Sequence, residues 1–146
     1  MKLDENQKIT LTVGQLKRLI KESADEDFEI EDGVLVRYNG DGGVVVIPEG
    51  VVEIGKAAFA DCENITRIRL PETLKTIGDE AFRDARWFED ISIPDGVETI
   101  GEDAFAGTNI RSAFIPDSVR EIGPRAFSRC DYLRSIRLPH RDWRRI

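Results

Sequence analysis

Five prolines recur along the chain at an almost constant interval. They stand at Pro48, Pro71, Pro94, Pro116 and Pro139, so the intervals are 23, 23, 22 and 23 residues, and each follows Ile or Leu. The same period returns in Ile-Gly pairs and in Ala-Phe pairs: Ile54-Gly55, Ile77-Gly78, Ile100-Gly101 and Ile122-Gly123, then Ala58-Phe59, Ala81-Phe82, Ala104-Phe105 and Ala126-Phe127. Self-similarity at a fixed period of about 20 to 50 residues predicts a solenoid of stacked units. This repeat constrains the fold more than any local motif does.

Each unit begins with apolar residues at spacings typical of a short strand whose alternate side chains point inward. Proline then ends the strand because it has no N–H for the next ladder bond. A second extended piece follows, and we expect the glycine of each Ile-Gly pair to adopt a positive φ and lead into one helical turn that carries Ala-Phe. The third unit is one residue shorter, since only residues 106–109 separate Phe105 from Ile110. We expect this deletion to lie in the turn and to leave the strand register intact.

The pattern I-x-L-P-x-x-V-x-x-I-G-x-x-A-F-x-x-C-x-x-L over about residues 44 to 139 resembles the BspA-type leucine-rich repeat family. The resemblance implies an α/β, right-handed solenoid of mostly short parallel strands with one-turn helices and a concave sheet. The scarcity of catalytic residues, separately from the resemblance, predicts a non-enzymatic module. Many members are secreted or lie on the surface of bacteria and some protists, where they bind matrix proteins or other cells.

Residues 1–43 do not follow the repeat. Asp32-Gly33 between apolar runs predicts a β-hairpin that caps the N-terminal edge of the solenoid. A capping box at Thr12 and Gln15 predicts a helix from about Val13 to Ser23. This helix either packs on the solenoid end or remains free to dock a partner or to dimerise. The predicted organisation is thus a helix and hairpin cap in residues 1–43, a repeat solenoid in residues 44–139 and an Arg-rich end in residues 140–146.

Outward positions of the repeat strands are where we expect a binding surface, because solenoids present extended faces to their partners. Phe114 stands out, since a large aromatic side chain at an outward position indicates contact area, unless it packs beside the shortened third unit. The predicted binding residues are Val46, Arg67, Arg69, Asp90, Ser92, Phe114 and Arg137. The sequence therefore predicts a module that binds a protein partner, with a structural or self-assembling repeat unit as the first alternative.

Charge is distributed unevenly along the chain. Residues 1–43 carry 6 basic and 10 acidic side chains, residues 44–115 carry 7 and 14, and residues 116–146 carry 8 and 4, which together make the net charge of −7. The basic end could attract a nucleic acid, but the overall acidity and the lack of interleaved aromatic residues disfavour one. We expect the excess of arginine near the C-terminus to repel a like copy and to favour a monomer over a dimer.

Residues for catalysis or metal binding are scarce. The single histidine, His140, follows the last repeat strand with no nucleophile obviously placed beside it, and an enzyme that uses paired carboxylates is a remote alternative. Cys62 and Cys130 occupy the same repeat position in units that are three repeats apart. At the spacing of paired strands the two residues should lie ~14 Å from each other, which is too far for a disulfide. The sequence predicts no metal site and no cofactor.

Neither an apolar stretch of ~20 residues nor an N-terminal signal core is present in the sequence. We therefore expect no membrane span and a cytoplasmic location. The family resemblance alone would instead suggest a secreted or surface protein.

Overall fold

The computed structural model describes residues 27–86 and 89–138. These residues form eleven short strands, each from two to five residues long. The strands are β1 (Phe28–Glu31), β2 (Val34–Tyr38), β3 (Gly43–Val46), β4 (Glu53–Ile54), β5 (Ile65–Arg69), β6 (Thr76–Ile77), β7 (Asp90–Ser92), β8 (Thr99–Ile100), β9 (Ser112–Phe114), β10 (Glu121–Ile122) and β11 (Ser135–Arg137).

The strands stack in two parallel columns, which makes the protein a β-solenoid of about four turns. The back sheet has six strands in the order β1-β2-β4-β6-β8-β10. The front strands are those that precede the recurring prolines, and they form two sheets, β3-β5 and β7-β9-β11. β5 and β7 contact each other where these two sheets meet.

The register confirms the predicted inward positions. Val45 lies opposite Ile68, and Ala113 lies between Ile91 and Ile136. In the back sheet, Ile54, Ile77, Ile100 and Ile122 form a continuous buried row. The pairing of Asp90 with Ser112 spans 22 residues where Val44 with Arg67 spans 23, so the deletion at residues 106–109 leaves the strands in register, as predicted.

The aromatic residues of the Ala-Phe pairs stack through the centre of the solenoid. Adjacent ring centroids from Phe59 through Phe82 and Phe105 to Phe127 are 5.1, 5.2 and 5.3 Å apart, with the planes within 10° of parallel. Tyr38 continues the stack at 5.1 Å from Phe59, and Phe28 lies 5.5 Å beyond Tyr38. The spacing matches the distance of about 4.8 Å between paired strands, so each turn of the chain contributes one ring.

The Ala-Phe segments are turns, and the one-turn helices predicted from the sequence are wrong. Residues 27–86 and 89–138 contain no helix. We call the four segments 55–62, 78–85, 101–108 and 123–130 the turn layer. In the first of them, alternate N–H groups form tight i to i−3 bonds within the turn, while Ala57, Phe59 and Asp61 donate to the next turn at 2.8–3.0 Å.

Two residues in each turn adopt the left-handed conformation that aims these donors at the neighbouring turn. They occupy equivalent repeat positions: Ala57, Asp61, Glu80, Asp84, Asp103, Gly107, Arg125 and Arg129, with φ between 54° and 73°. The predicted positive φ at Gly55, Gly78, Gly101 and Gly123 is therefore wrong, because the left-handed positions lie elsewhere in the turn. Glycine is required there for a different reason, namely close approach: a Cβ on Gly78 would lie 2.6 Å from the Ile54 carbonyl oxygen.

The predicted hairpin is present in residues 28–38. Asp32 and Gly33 have φ of 50° and 80°, and β1 pairs antiparallel with β2. β2 in turn pairs parallel with β4, so the hairpin continues the back sheet ahead of the first repeat. The helix predicted over residues 13–23 lies outside the described residues. The division of the chain into three segments stays a prediction.

Candidate functional site

The front face, defined as the outward side of β3, β5, β7, β9 and β11, carries all seven predicted binding residues. Each of them is exposed: Val46, Arg67, Arg69, Asp90, Ser92, Phe114 and Arg137. Proline ends each front strand and the alternation within the strand turns the flanking residues outward, so these side chains lie in rows across the strands.

The first part of the front face pairs valine with arginine across β3 and β5. Val44 lies opposite Arg67, and Val46 lies opposite Arg69. Val44 and Val46 are 67% and 56% exposed and lie on the same side of β3, with buried Val45 between them. This part of the face can offer apolar contact area beside two guanidinium groups.

The second part lies on β7, β9 and β11. Ser92, Phe114 and Arg137 are in register across the three strands, and the Arg137 Cζ lies 5.5 Å from the centroid of the Phe114 ring. Phe114 is 50% exposed, so the shortened third unit does not draw it into the core. The neighbouring row contains a hydrogen bond of 3.0 Å from the Ser112 hydroxyl to the Asp90 carboxylate.

A groove of about 310 Å³ adjoins Phe114 and Arg137 at the proline end of the front strands. Asp95, Pro116 and Ser118 line its other side, and the Ser118 hydroxyl accepts the Gly96 N–H at 3.0 Å. The groove thus combines an aromatic ring, a guanidinium and a carboxylate.

The structure brings the seven residues onto one face but in two groups. Val46, Arg67 and Arg69 lie on the β3-β5 sheet, whereas Asp90, Ser92, Phe114 and Arg137 lie on the β7-β9-β11 sheet. The close contact of Phe114 with Arg137 follows directly from the repeat register. The repeat period does not predict that the front strands form two separate sheets.

Sequence reasoning missed an ion-pair network along the turn layer. Arg125 binds Glu102 and Asp103 of the preceding turn, and Arg83 binds Glu80 at 2.8 Å. The hydrogen bond to Glu80 raises the pKa of Arg83. The hydrogen bond to Asp103 is the main cause that raises the pKa of Arg125. Both guanidinium groups are therefore charged. The opposite charges of Asp103 and Arg125 at the same repeat position, one period apart, are the signal that could have revealed this pair.

Neither cysteine of the turn layer is positioned for chemistry. Both are free thiols, and burial together with the Asp61 charge raises the pKa of Cys62. The Cys130 thiol donates to the Phe105 carbonyl oxygen at 3.1 Å. Burial also raises the pKa of Tyr38, whose hydroxyl accepts the Gly42 N–H. In the described part of the chain, no cluster of three or more His, Cys, Asp and Glu residues could hold a metal ion. His140 lies outside it.

No helix within residues 27–86 and 89–138 is long and apolar enough to cross a membrane. The cytoplasmic location stays a prediction.

The fold and its repeated apolar positions define a leucine-rich-repeat solenoid. The family model of the BspA type leucine rich repeat region matches residues 43–143 in six copies. The chain therefore belongs to the BspA-type leucine-rich repeat family, as the sequence pattern predicts.

Solved structures of bacterial leucine-rich repeat proteins are similar. The T. pallidum leucine-rich repeat protein has a TM-score of 0.64 at 30% identity, with 78% of this chain and 70% of that chain covered. A leucine-rich repeat protein from Bacteroides ovatus has a TM-score of 0.60 at 28% identity, over 73% of this chain and 29% of that one. The pneumococcal vaccine antigen PcpA shares the fold, with a TM-score of 0.54 at 18% identity over 75% of this chain and 34% of that one.

The chain thus spans about a third of the length of the B. ovatus and pneumococcal proteins. Comparison with curated proteins gives no significant match. Family and fold support a repeat scaffold of a kind that is typically non-enzymatic.

Proposed function

We propose that this protein is a non-enzymatic interaction module that binds a protein partner through its front face. The observation that carries the proposal is the exposed Phe114 ring beneath the Arg137 guanidinium, in register with Ser92 and next to a groove. Aromatic and arginine side chains contribute most to protein interfaces, because they combine large contact area with few rotatable bonds or with several hydrogen-bond donors.

The exposed valines extend the same surface. Val44 and Val46 add apolar area on β3, and Arg67 and Arg69 supply charge on β5, between these valines and the β7-β9-β11 sheet. Apolar contact area combined with arginine side chains is typical of protein interfaces. Nucleic acid is a poorer fit, because Phe114 is the single aromatic residue among the seven and the protein as a whole is acidic.

A pull-down comparing two exposed aromatic residues tests this function. Wild-type protein, Phe114→Ala and Tyr132→Ala are each used as bait in extract of the native cells, and the captured proteins are identified by mass spectrometry. Tyr132 is 58% exposed but lies in the turn that precedes β11, outside the front face, so it provides the matched control.

We expect wild-type protein and Tyr132→Ala to retain the same partner and Phe114→Ala to retain much less of it. All three should melt at nearly the same temperature, because Phe114 contributes little to the core. Equal capture by Phe114→Ala and wild-type protein would show that the partner binds elsewhere. Recovery of the chain's own copies in place of another protein would favour the self-assembling alternative.

A further inference from the structure

The backbone-to-backbone hydrogen bonds between successive turns of the turn layer all run in one direction. In each of three consecutive interfaces, three N–H groups of one turn donate to three carbonyl oxygens of the next turn. The donors are Ala57, Phe59, Asp61, Glu80, Phe82, Asp84, Asp103, Phe105 and Gly107, with N to O distances of 2.8–3.1 Å. Because the peptide groups are aligned head to tail, their dipoles add along the solenoid, as they do along a helix.

The positive pole of this column is the turn at residues 123–130. Its carbonyl groups at Pro124, Ala126 and Ser128 accept from the preceding turn. The equivalent donors are the N–H groups of Arg125, Phe127 and Arg129, and none of them has an acceptor within the described ranges. Unpaired backbone donors at the edge of a stacked structure are a template for pairing with another segment.

The same edge presents an aromatic surface. Phe127 is the last ring of the aromatic stack, 5.3 Å from Phe105, and it is only partly buried whereas Phe59, Phe82 and Phe105 are fully buried. Arg125 and Arg129 flank Phe127 in the sequence; their guanidinium groups are partly exposed, with Arg125 paired to Glu102 and Asp103 and Arg129 paired to Asp84. The edge therefore offers three hydrogen-bond donors, a ring face and two cations.

We propose that this edge, which we call the donor edge, binds an acidic peptide segment that contains a phenylalanine. Alternate carbonyl oxygens of the peptide accept the N–H groups of Arg125, Phe127 and Arg129, and its aromatic ring stacks on Phe127. The dipole of the column and the two arginines select for acidic residues beside that phenylalanine. This surface is distinct from the front face, and the proposal does not depend on the proposed function.

The protein contains an internal precedent for the complex. Residues 101–107 lie against the preceding turn in this manner: the carbonyl oxygens of Glu102, Ala104 and Ala106 accept from Glu80, Phe82 and Asp84 at 2.8 Å. The Phe105 ring stacks on Phe82 at 5.2 Å. A synthetic peptide of residues 100–109, with blocked ends, carries two acidic residues and one phenylalanine, and it is therefore a suitable probe.

Amide hydrogen exchange in the 146-residue chain tests the donor edge directly. In the free protein, the amides of Arg125, Phe127 and Arg129 should exchange much faster than those of Asp103, Phe105 and Gly107, which have the same repeat positions but are hydrogen-bonded. Saturating peptide should slow the first three at least 10-fold and leave the second three unchanged. A peptide with Glu102→Gln and Asp103→Asn should bind at least 5-fold more weakly.

Two variants separate the arginine side chains from the fold. Arg125→Gly with Arg129→Gly keeps the backbone relaxed, since both residues have positive φ, and should weaken peptide binding about 10-fold. Arg37→Ala, an exposed arginine at the opposite end of the stack, should bind the peptide as wild-type protein does. Unchanged exchange at Asp103, Phe105 and Gly107 would show that the glycine variant remains folded.

Three outcomes would overturn the proposal. Peptide that protects front-face amides and leaves Arg125, Phe127 and Arg129 unaffected would place binding elsewhere. Slow exchange of these three amides in the free protein at every concentration would mean that the protein's own chain already covers the edge. Protection that rises with protein concentration would assign the edge to a second copy.

Discussion

The same residue type has opposite roles at two positions of this solenoid. Phe82 is fully buried and stacks between Phe59 and Phe105, whereas Phe114 is half exposed on the front face. Their positions in the repeat explain the difference: Phe82 follows the alanine of an Ala-Phe pair, and Phe114 occupies an outward strand position. The position of each phenylalanine within the repeat, more than its residue type, determines whether its ring is buried or exposed.

Replacing Phe82 by Ala should lower the free energy of unfolding by about 3 to 5 kcal/mol, since it leaves a cavity and interrupts the ring stack. Phe114→Ala should cost less than about 1 kcal/mol, the magnitude of its exposed contact with Arg137. Urea denaturation followed by circular dichroism measures both values. A loss below about 1 kcal/mol for Phe82→Ala would mean that the Ala-Phe pairs do not form the core.

Glycine at the end of each back strand is required by the packing between turns. The φ of Gly78 is not in the left-handed region, yet a Cβ there would lie 2.6 Å from the Ile54 carbonyl oxygen. Backbone atoms cannot move aside as a flexible side chain can, so the two turns would have to separate.

Gly78→Ala should therefore destabilise the protein by about 1 to 3 kcal/mol through overpacking. Gly43→Asn is the control, because Gly43 has a φ of 75°, which Asn tolerates, and a Cβ there would have no atom within 4 Å. Its cost in the same urea titration should be below about 1 kcal/mol. Equal costs for the two variants would refute the role assigned to Gly78.

At the scale of the element, the hairpin joins the solenoid through its backbone and its rings. The Tyr38 N–H donates to the Ala58 carbonyl oxygen at 3.1 Å, and the Tyr38 ring lies on Phe59. The turn at Asp32-Gly33 places Tyr38 there, because its two consecutive positive φ values match the twist of the paired strands.

Asp32→Val should cost about 1 to 2 kcal/mol, because a β-branched side chain is strained at a φ of 50°. Asp32→Asn should be nearly neutral, since Asn tolerates the left-handed region. The amide exchange rate of Tyr38 reports the contact of the hairpin with the first repeat turn and should rise only in the valine variant. A stable Asp32→Val protein with a protected Tyr38 amide would show that the hairpin does not depend on this turn.

At the scale of the whole molecule, each turn contacts its immediate neighbours through the same three features: a back-strand pair, a ring stack and the donors of the turn layer. Stability in such a stack is approximately a sum of unit and interface terms. The two ends therefore matter more than in a globular domain. The hairpin lies at one end and the donor edge at the other.

The protein should be a monomer in dilute solution, because residues 116–146 have a net charge of +4 and repel the same segment of another copy. Light scattering at several salt concentrations measures the mass. A dimer at low salt, where repulsion is strongest, would contradict this expectation and would favour a self-assembling unit.

The period of 22 to 23 residues by itself determined the solenoid, its inward positions and the register across the deletion. These properties follow from the alternation of inward and outward side chains along a strand and from the equivalence of the repeat units. They can therefore be predicted without knowing the distances between turns. The hairpin likewise follows from the two residues of its turn.

Only the tertiary structure decided how the turns fit together. The sequence suggested helical turns and a left-handed glycine, but the stacking distance of about 4.8 Å favours a turn whose alternate N–H groups reach the next turn. The same close stacking leaves no room for a Cβ at Gly78. It also brings the rings of Phe28 and Tyr38 onto the ring stack. At one edge, the N–H groups of Arg125, Phe127 and Arg129 have no following turn to accept them within the described residues. Each of these features depends on the separation of groups from different turns, and a repeat period specifies which residues are equivalent without specifying how closely they approach.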